Sequence, residues 1–92
     1  MYSVTTTVTN PSGLHARPAS MFVEAAKCYV SKVFIKNVTR GSEAKNAKSV
    51  VLLLTLAIAC GNQIEISAEG DDEVQAVTHL VKLIESGMGE GN

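Results

Sequence analysis

Apolar and polar positions alternate along some stretches of this 92-residue chain and recur with a helical period along others. Residues 2–9, YSVTTTVT, are rich in β-branched side chains, with Val4, Thr6 and Val8 on one face, and predict a first strand. Asn10-Pro11-Ser12-Gly13 breaks it. From Ala16 the period changes: Ala19, Phe22, Val23, Ala26 and Val30 fall on one stripe, predicting a helix that ends near Cys28 or Tyr29. Residues 32–38 alternate again, Val33 and Ile35 facing one way and Lys32 and Lys36 the other, as in a second strand.

After a turn at Thr39-Arg40-Gly41-Ser42, residues 43–47 make a short third strand out of weak strand formers. Ser49 is placed to cap residues 50–56, read as a short helix although its valine-rich start also suits a strand. Gly61-Asn62 turns the chain into a fourth strand, residues 63–68, with Ile64, Ile66 and Ala68 inward. The last helix begins at Gly70-Asp71-Asp72 with an acid cap, and its dipole favours Glu73 in the first turn. It carries Val74, Val77, Leu80, Val81 and Ile84 inward and stops at Ser86-Gly87, leaving residues 87–92 as a flexible tail. The order βαββαβα packs most simply as an α+β open-faced sandwich, a four-stranded antiparallel sheet with three helices on one face. One domain over residues 1–92, ordered from about residue 2 to 86, is expected from this length.

Composition narrows the function. Hydrophobic residues at 46% and charged residues at 18% exclude a disordered chain. The longest apolar stretch, residues 50–60, is interrupted by Thr55 and falls short of the roughly 18 to 20 residues of a membrane span. The N-terminus has neither a basic start nor a continuous apolar segment, so the expected location is cytoplasmic. Cys28 and Cys60 have no C-x-x-C spacing and no nearby histidine pair; both read as buried small hydrophobes, and no metal or cofactor is expected. With no tryptophan and 4% aromatic residues, the chain lacks a base-stacking surface for single-stranded nucleic acid. The net charge of −1 conceals an asymmetry: residues 1–48 hold seven Lys/Arg against two Glu, whereas residues 49–92 hold one Lys against seven Asp/Glu.

Candidate chemistry lies at the first loop-to-helix junction, Gly13-Leu14-His15-Ala16-Arg17-Pro18. Pro18 costs little in a first turn, where its missing N–H would have no intrahelical partner. A helix starting at Ala16 places His15 beside free backbone N–H groups and the positive end of the dipole, where an anion is stabilised, and Arg17 adds a second positive contact. By the residues alone, His15 reads either as a helix cap or as part of an anion site, and Ser49 as an ordinary N-cap.

The run Gly13-Leu14-His15-Ala16-Arg17-Pro18-Ala19-Ser20-Met21 resembles the histidine phosphorylation signature of HPr, the phosphocarrier family of the bacterial phosphoenolpyruvate-dependent sugar phosphotransferase system. Lys48-Ser49-Val50-Val51-x-Leu53-x-x-Leu56-Ala57 is similar to that family's serine phosphorylation signature, and residues 64–70 to its fourth-strand ending. The resemblance spans about residues 2–86 and implies a carrier rather than an enzyme. Enzyme I would phosphorylate Nδ1 of His15, Arg17 and the backbone of Ala16 and Arg17 would bind the phosphate, and IIA domains of sugar permeases would receive it. Ser49 would be a regulatory site for an HPr kinase/phosphorylase, with a catabolite-control transcription factor as a further partner.

Ser20, Met21, Lys27, Lys48, Val50, Val51 and Leu54 are the expected partner-binding residues of a monomer, with Leu52, Leu53 and Leu56 filling the core. Two features depart from the pattern: a longer connection between Val33 and Ser49, and a small Val50-Val51 pair where bulkier residues are common. Two other readings stand beside the carrier: a regulatory HPr-like paralogue in carbon or nitrogen control that acts by protein binding, and a generic α+β binding module. His79, outside both motifs, reads as a surface residue.

Overall fold

The computed structural model describes residues 1–88. Its elements run in the order β1 (Tyr2–Thr7), α1 (Ala16–Lys27), β2 (Lys32–Asn37), β3 (Lys45–Asn46), α2 (Val50–Thr55), β4 (Gln63–Glu69) and α3 (Glu73–Glu85). All strand pairs are antiparallel and the sheet order is β1-β4-β2-β3, the open-faced sandwich expected from the alternation. Register follows the pleat. Val4 faces Ile66 and Thr6 faces Ile64 across one side of β4, while Ile35 faces Ile66 and Val33 faces Ala68 across the other. One face of the sheet thus presents a continuous apolar row, which the helices cover with Phe22, Val23, Ala26, Leu53, Ala76, Val77, Leu80 and Ile84. On the opposite face Lys36 pairs with Glu65 at 3.6 Å between neighbouring strands.

β3 is two residues long, where five were expected, because its lysine, asparagine and alanine side chains add little on the pleated surface. The turn between β2 and β3 is organised by buried Asn37, whose Nδ2 donates to the Leu56 carbonyl and to Asn62 Oδ1, each at 3.1 Å, while its Oδ1 accepts from Arg40 N–H. A buried amide is tolerated here because its polar atoms are partnered.

Several expectations about burial are corrected. Val30 is 80% exposed, because α1 ends before it and the helical stripe cannot be extended past the C-cap at Cys28. Cys28 and Cys60 are exposed rather than buried: one sits at that C-cap and the other in a turn, their thiols donating to the Glu24 and Thr9 carbonyls. Leu52 is exposed, leaving Leu53 and Leu56 as the buried leucines of the α2 region. Val74 is 49% exposed, and Ala76 takes the inward position on α3. Gly87 and Met88, expected in a flexible tail, are buried, and the rest of that segment, residues 89–92, lies outside the described residues.

The acid cap of α3 is also corrected. Asp72 occupies the N-cap position but makes no side-chain cap bond. Its carboxylate reaches across to the α1–β2 connection, accepting from Val30 N–H and Ser31 N–H at 3.0 Å each and from the Ser31 hydroxyl. Gly70 makes room for this contact, since a Cβ there would meet Ser31 Cα at 2.8 Å. Glu73 takes over at the helix start, accepting from Gly70 N–H at 3.2 Å. His79 is on the surface as expected, with its Nδ1 2.7 Å from the Tyr29 hydroxyl and the two rings edge to face, which ties α3 to the end of α1.

The Ser31 hydroxyl bond, seconded by the Val30 and Ser31 N–H groups against some desolvation, holds the Asp72 carboxyl below the usual carboxylate range. A lowered folded-state value contributes stability above the unfolded value of about 3.9, and that stability is lost as pH falls through the folded value. Asp72→Asn therefore lowers the urea midpoint at neutral pH, and the gap to the parent closes below about pH 3.9. Urea unfolding at a series of pH values measures it.

Candidate functional site

The junction before α1 is built on a backbone contact. Gly13 adopts a left-handed conformation, φ 61°, and a Cβ there would lie 2.4 Å from the Ile58 carbonyl oxygen. Leu14 N–H donates to that carbonyl at 3.0 Å, and the Leu14 side chain is buried. The buried Asn10 closes the turn, its Nδ2 donating to the Gly13 carbonyl at 2.7 Å while Gly13 N–H donates back to the Asn10 carbonyl.

Beyond this anchor His15 occupies the N-cap position of α1 with extended backbone, φ −123° and ψ 157°. Its side chain makes no cap hydrogen bond, which removes the reading of His15 as a helix cap. The imidazole is left at the exposed start of the helix, beside backbone N–H groups that the helix itself does not satisfy. Ala16 turns the chain sharply with φ 52°, a left-handed value that a residue with a Cβ adopts only at a cost of about 1–3 kcal/mol. That cost is met by the Gly13 anchor on one side and by buried Pro18 and Ala19 on the other.

His15 and Arg17 line one cavity of about 650 Å³, together with Ser12, Ala16, Pro18, Met21 and Met88. Among the described residues Arg17 forms no ion pair, so its guanidinium is available to an anion in that cavity. Ser12 and Met88 are the lining residues that sequence reasoning missed. Ser12 was hidden in a turn read only as a strand breaker, and Met88 in a glycine-rich end with no apolar period.

The other expected residues are distributed more widely. Ser20 is exposed on α1, and Met21 is half-buried between the cavity and the core. Lys27 lies ten residues beyond Arg17, about 15 Å along the helix, and pairs with Glu24 at 3.6 Å. Lys48 is also away from the cavity, its Nζ donating to the Tyr29 carbonyl at 2.7 Å just past the C-terminus of α1. Ser49 caps α2, its hydroxyl oxygen accepting from Leu52 N–H at 3.2 Å. Val50 is half-buried against the core, while Val51, at 72% exposure, joins Leu52 and Leu54 in an apolar surface on α2. Among the described residues no group of three or more acidic, histidine or cysteine side chains is arranged to hold a metal, and no helix is long and apolar enough to cross a membrane.

Residues 2–86 match a family model described as "PTS HPr component phosphorylation site". The chain belongs to the PTS HPr family of phosphocarrier proteins. It is 46% identical over 84 residues to the phosphocarrier protein HPr of Haemophilus influenzae, covering 91% of this chain and 95% of that one. It is also 41% identical over 86 residues to a multiphosphoryl transfer protein of the same organism, covering 94% of this chain but 17% of that longer protein. Among solved structures, HPr-C-His from Thermoanaerobacter tengcongensis superposes with a TM-score of 0.94 at 41% identity, with full coverage of both chains. An HPr-family chain is a carrier in phosphoryl transfer rather than a catalyst, and the open cavity at His15 is compatible with handing a group from one protein to another.

Two substitutions test the local architecture. Gly13→Ala meets both the Ile58 carbonyl and the unfavourable φ, and is expected to destabilise the fold by more than about 1 kcal/mol in urea unfolding. Ser49→Ala removes the α2 cap and is expected to cost about 1 kcal/mol in the same measurement.

Proposed function

We propose that His15 Nδ1 accepts a phosphoryl group from phosphorylated enzyme I and passes it to IIA domains of sugar permeases. The observation that carries this reading is the shared cavity, lined at the start of a helix by an imidazole that makes no cap bond and an arginine that forms no ion pair among the described residues. A phosphoryl group on His15 brings up to two negative charges, which the Arg17 guanidinium and the backbone N–H groups of Ala16 and Arg17 receive. These contacts hold the dianion in place, so transfer in either direction reduces to positioning and electrostatics. Ser20, Met21, Lys27, Lys48, Val50, Val51 and Leu54 form the partner-binding surface, on which the exposed α2 side chains give apolar contact and the basic residues steer encounter. The protein acts in the cytoplasm as a monomer.

Ser49 is the regulatory site in this reading, the substrate of an HPr kinase/phosphorylase. A phosphate there adds roughly −1.5 to −2 charge at the start of α2, beside Val51 and Leu52, where the helix dipole tolerates it but an acidic partner does not. The modification therefore weakens docking to enzyme I while the fold persists, and it creates a surface for a catabolite-control transcription factor.

Incubation with enzyme I and phosphoenolpyruvate, followed by mass spectrometry, is expected to show one acid-labile phosphate that His15→Ala abolishes; no adduct on the parent chain would reject the carrier reading. Arg17→Ala is expected to slow the transfer roughly tenfold to a hundredfold, as loss of 1.5–3 kcal/mol of charged hydrogen bonding implies. For the serine, Ser49→Asp is expected to slow transfer from enzyme I without a change in the circular dichroism spectrum. A transfer rate equal to the parent's would reject the electrostatic account.

A further inference from the structure

Residues 87 and 88, just past α3, return to the start of α1. Past the Ser86 C-cap of α3, Gly87 and Met88 both take left-handed backbone, φ 84° and φ 56°. Their N–H groups donate to the Ile84 and Leu83 carbonyls, at 3.1 and 3.4 Å, closing the helix. A methionine held at positive φ is uncommon, and here burial secures it: Met88 is 2% exposed and belongs to the hydrophobic core. The same side chain lines the cavity of His15 and Arg17, although 73 positions separate it from His15.

The cavity has a divided lining. Ser12, His15 and Arg17 supply polar groups, while Ala16, Pro18, Met21 and Met88 supply apolar surface. We propose that Met88 is a positioning residue for phosphorylated His15, an apolar wall that keeps the phosphoryl group against Arg17 and denies water a hydrogen-bonded place beside the phosphorus. This rests on the reading of His15 as the phosphorylated residue. Two physical effects point the same way. A low-dielectric wall screens the arginine–phosphate attraction less than water would, and a thioether offers a water molecule almost no hydrogen bond.

The reaction it suppresses is hydrolysis. A water oxygen bonds to phosphorus as the Nδ1–P bond breaks, the electron pair of that bond returns to Nδ1 and takes up one of the water's protons, and the other proton leaves with the inorganic phosphate. A methionine wall suits a carrier because its unbranched side chain can move aside when a partner's nucleophile enters, so transfer stays open while leakage to water is slowed.

The full-length chain, phosphorylated by enzyme I and phosphoenolpyruvate and then separated from both, tests this by phosphorus NMR at neutral pH. Met88→Ala should lose its phosphate several-fold faster than the parent. Met88→Leu, equally apolar, and Val77→Ala, a core change outside the cavity, should both match the parent. Equal half-lives for the parent and Met88→Ala would overturn the proposal, and so would equal acceleration in Val77→Ala, since that marks a general loosening of the fold. A parent chain that takes up no phosphate at all would overturn the His15 reading itself. Should Met88→Ala fail to fold, the Met88 methyl resonance of the parent should move on phosphorylation, and an unmoved resonance would overturn the assignment.

Discussion

The working end of the molecule depends on the close approach of two backbone segments. Gly13 lies against the Ile58 carbonyl with no space for a side chain between them, and Leu14 N–H completes the contact by donating to the same oxygen. That fixes where the chain stands two residues before α1, and hence where His15 leaves it. The left-handed turn at Ala16 can be sustained only because both of its flanks are held in this way. A helix entered by an ordinary capping residue would consume its own free N–H groups. Here the residue at the cap position leaves them unspent, and an arginine on the first turn faces the same cavity.

The sheet supplies the rigidity behind this. β4 is hydrogen-bonded on both sides, to β1 and to β2, and its Ile64 and Ile66 lie at the centre of the apolar row that all the helices cover. The α3 end is secured by a separate device, the Asp72 carboxylate reaching the connection after α1. Both ends of α1 are therefore tied to distant parts of the chain, at Ile58 before the helix and at Asp72, His79 and Lys48 after it. A helix held at both ends presents His15, Arg17 and Ser20 as a fixed surface, which suits recognition by partners in turn.

Much of this was legible in the residues because it is local. The strands and helices announce themselves through period, and the His15 motif is contiguous, so its histidine, arginine and proline can be read together without knowledge of the fold. What escaped depends on where the chain goes next. Val30 continues a helical stripe in sequence but stands beyond the helix end, and Cys28 and Cys60 are small and apolar yet occupy turns that face water. Asp72 has the residue type of a cap, but a carboxylate with three donors available across a loop binds those instead. Met88 follows a glycine in a segment without pattern, and only the packed molecule shows that this methionine lines the cavity of His15.

The order of the strands has a consequence for how the protein comes to exist. β1 finds its hydrogen-bonding neighbour in β4 rather than in the next strand, and the turn at Gly13 finds its support in Ile58. Contacts of such sequence separation are slow to form, because a long loop must close before they return any free energy. The histidine motif is therefore made well before Ile58, the residue on which its turn is built. A growing chain that ends before Ile58 carries every letter of the motif and none of its geometry.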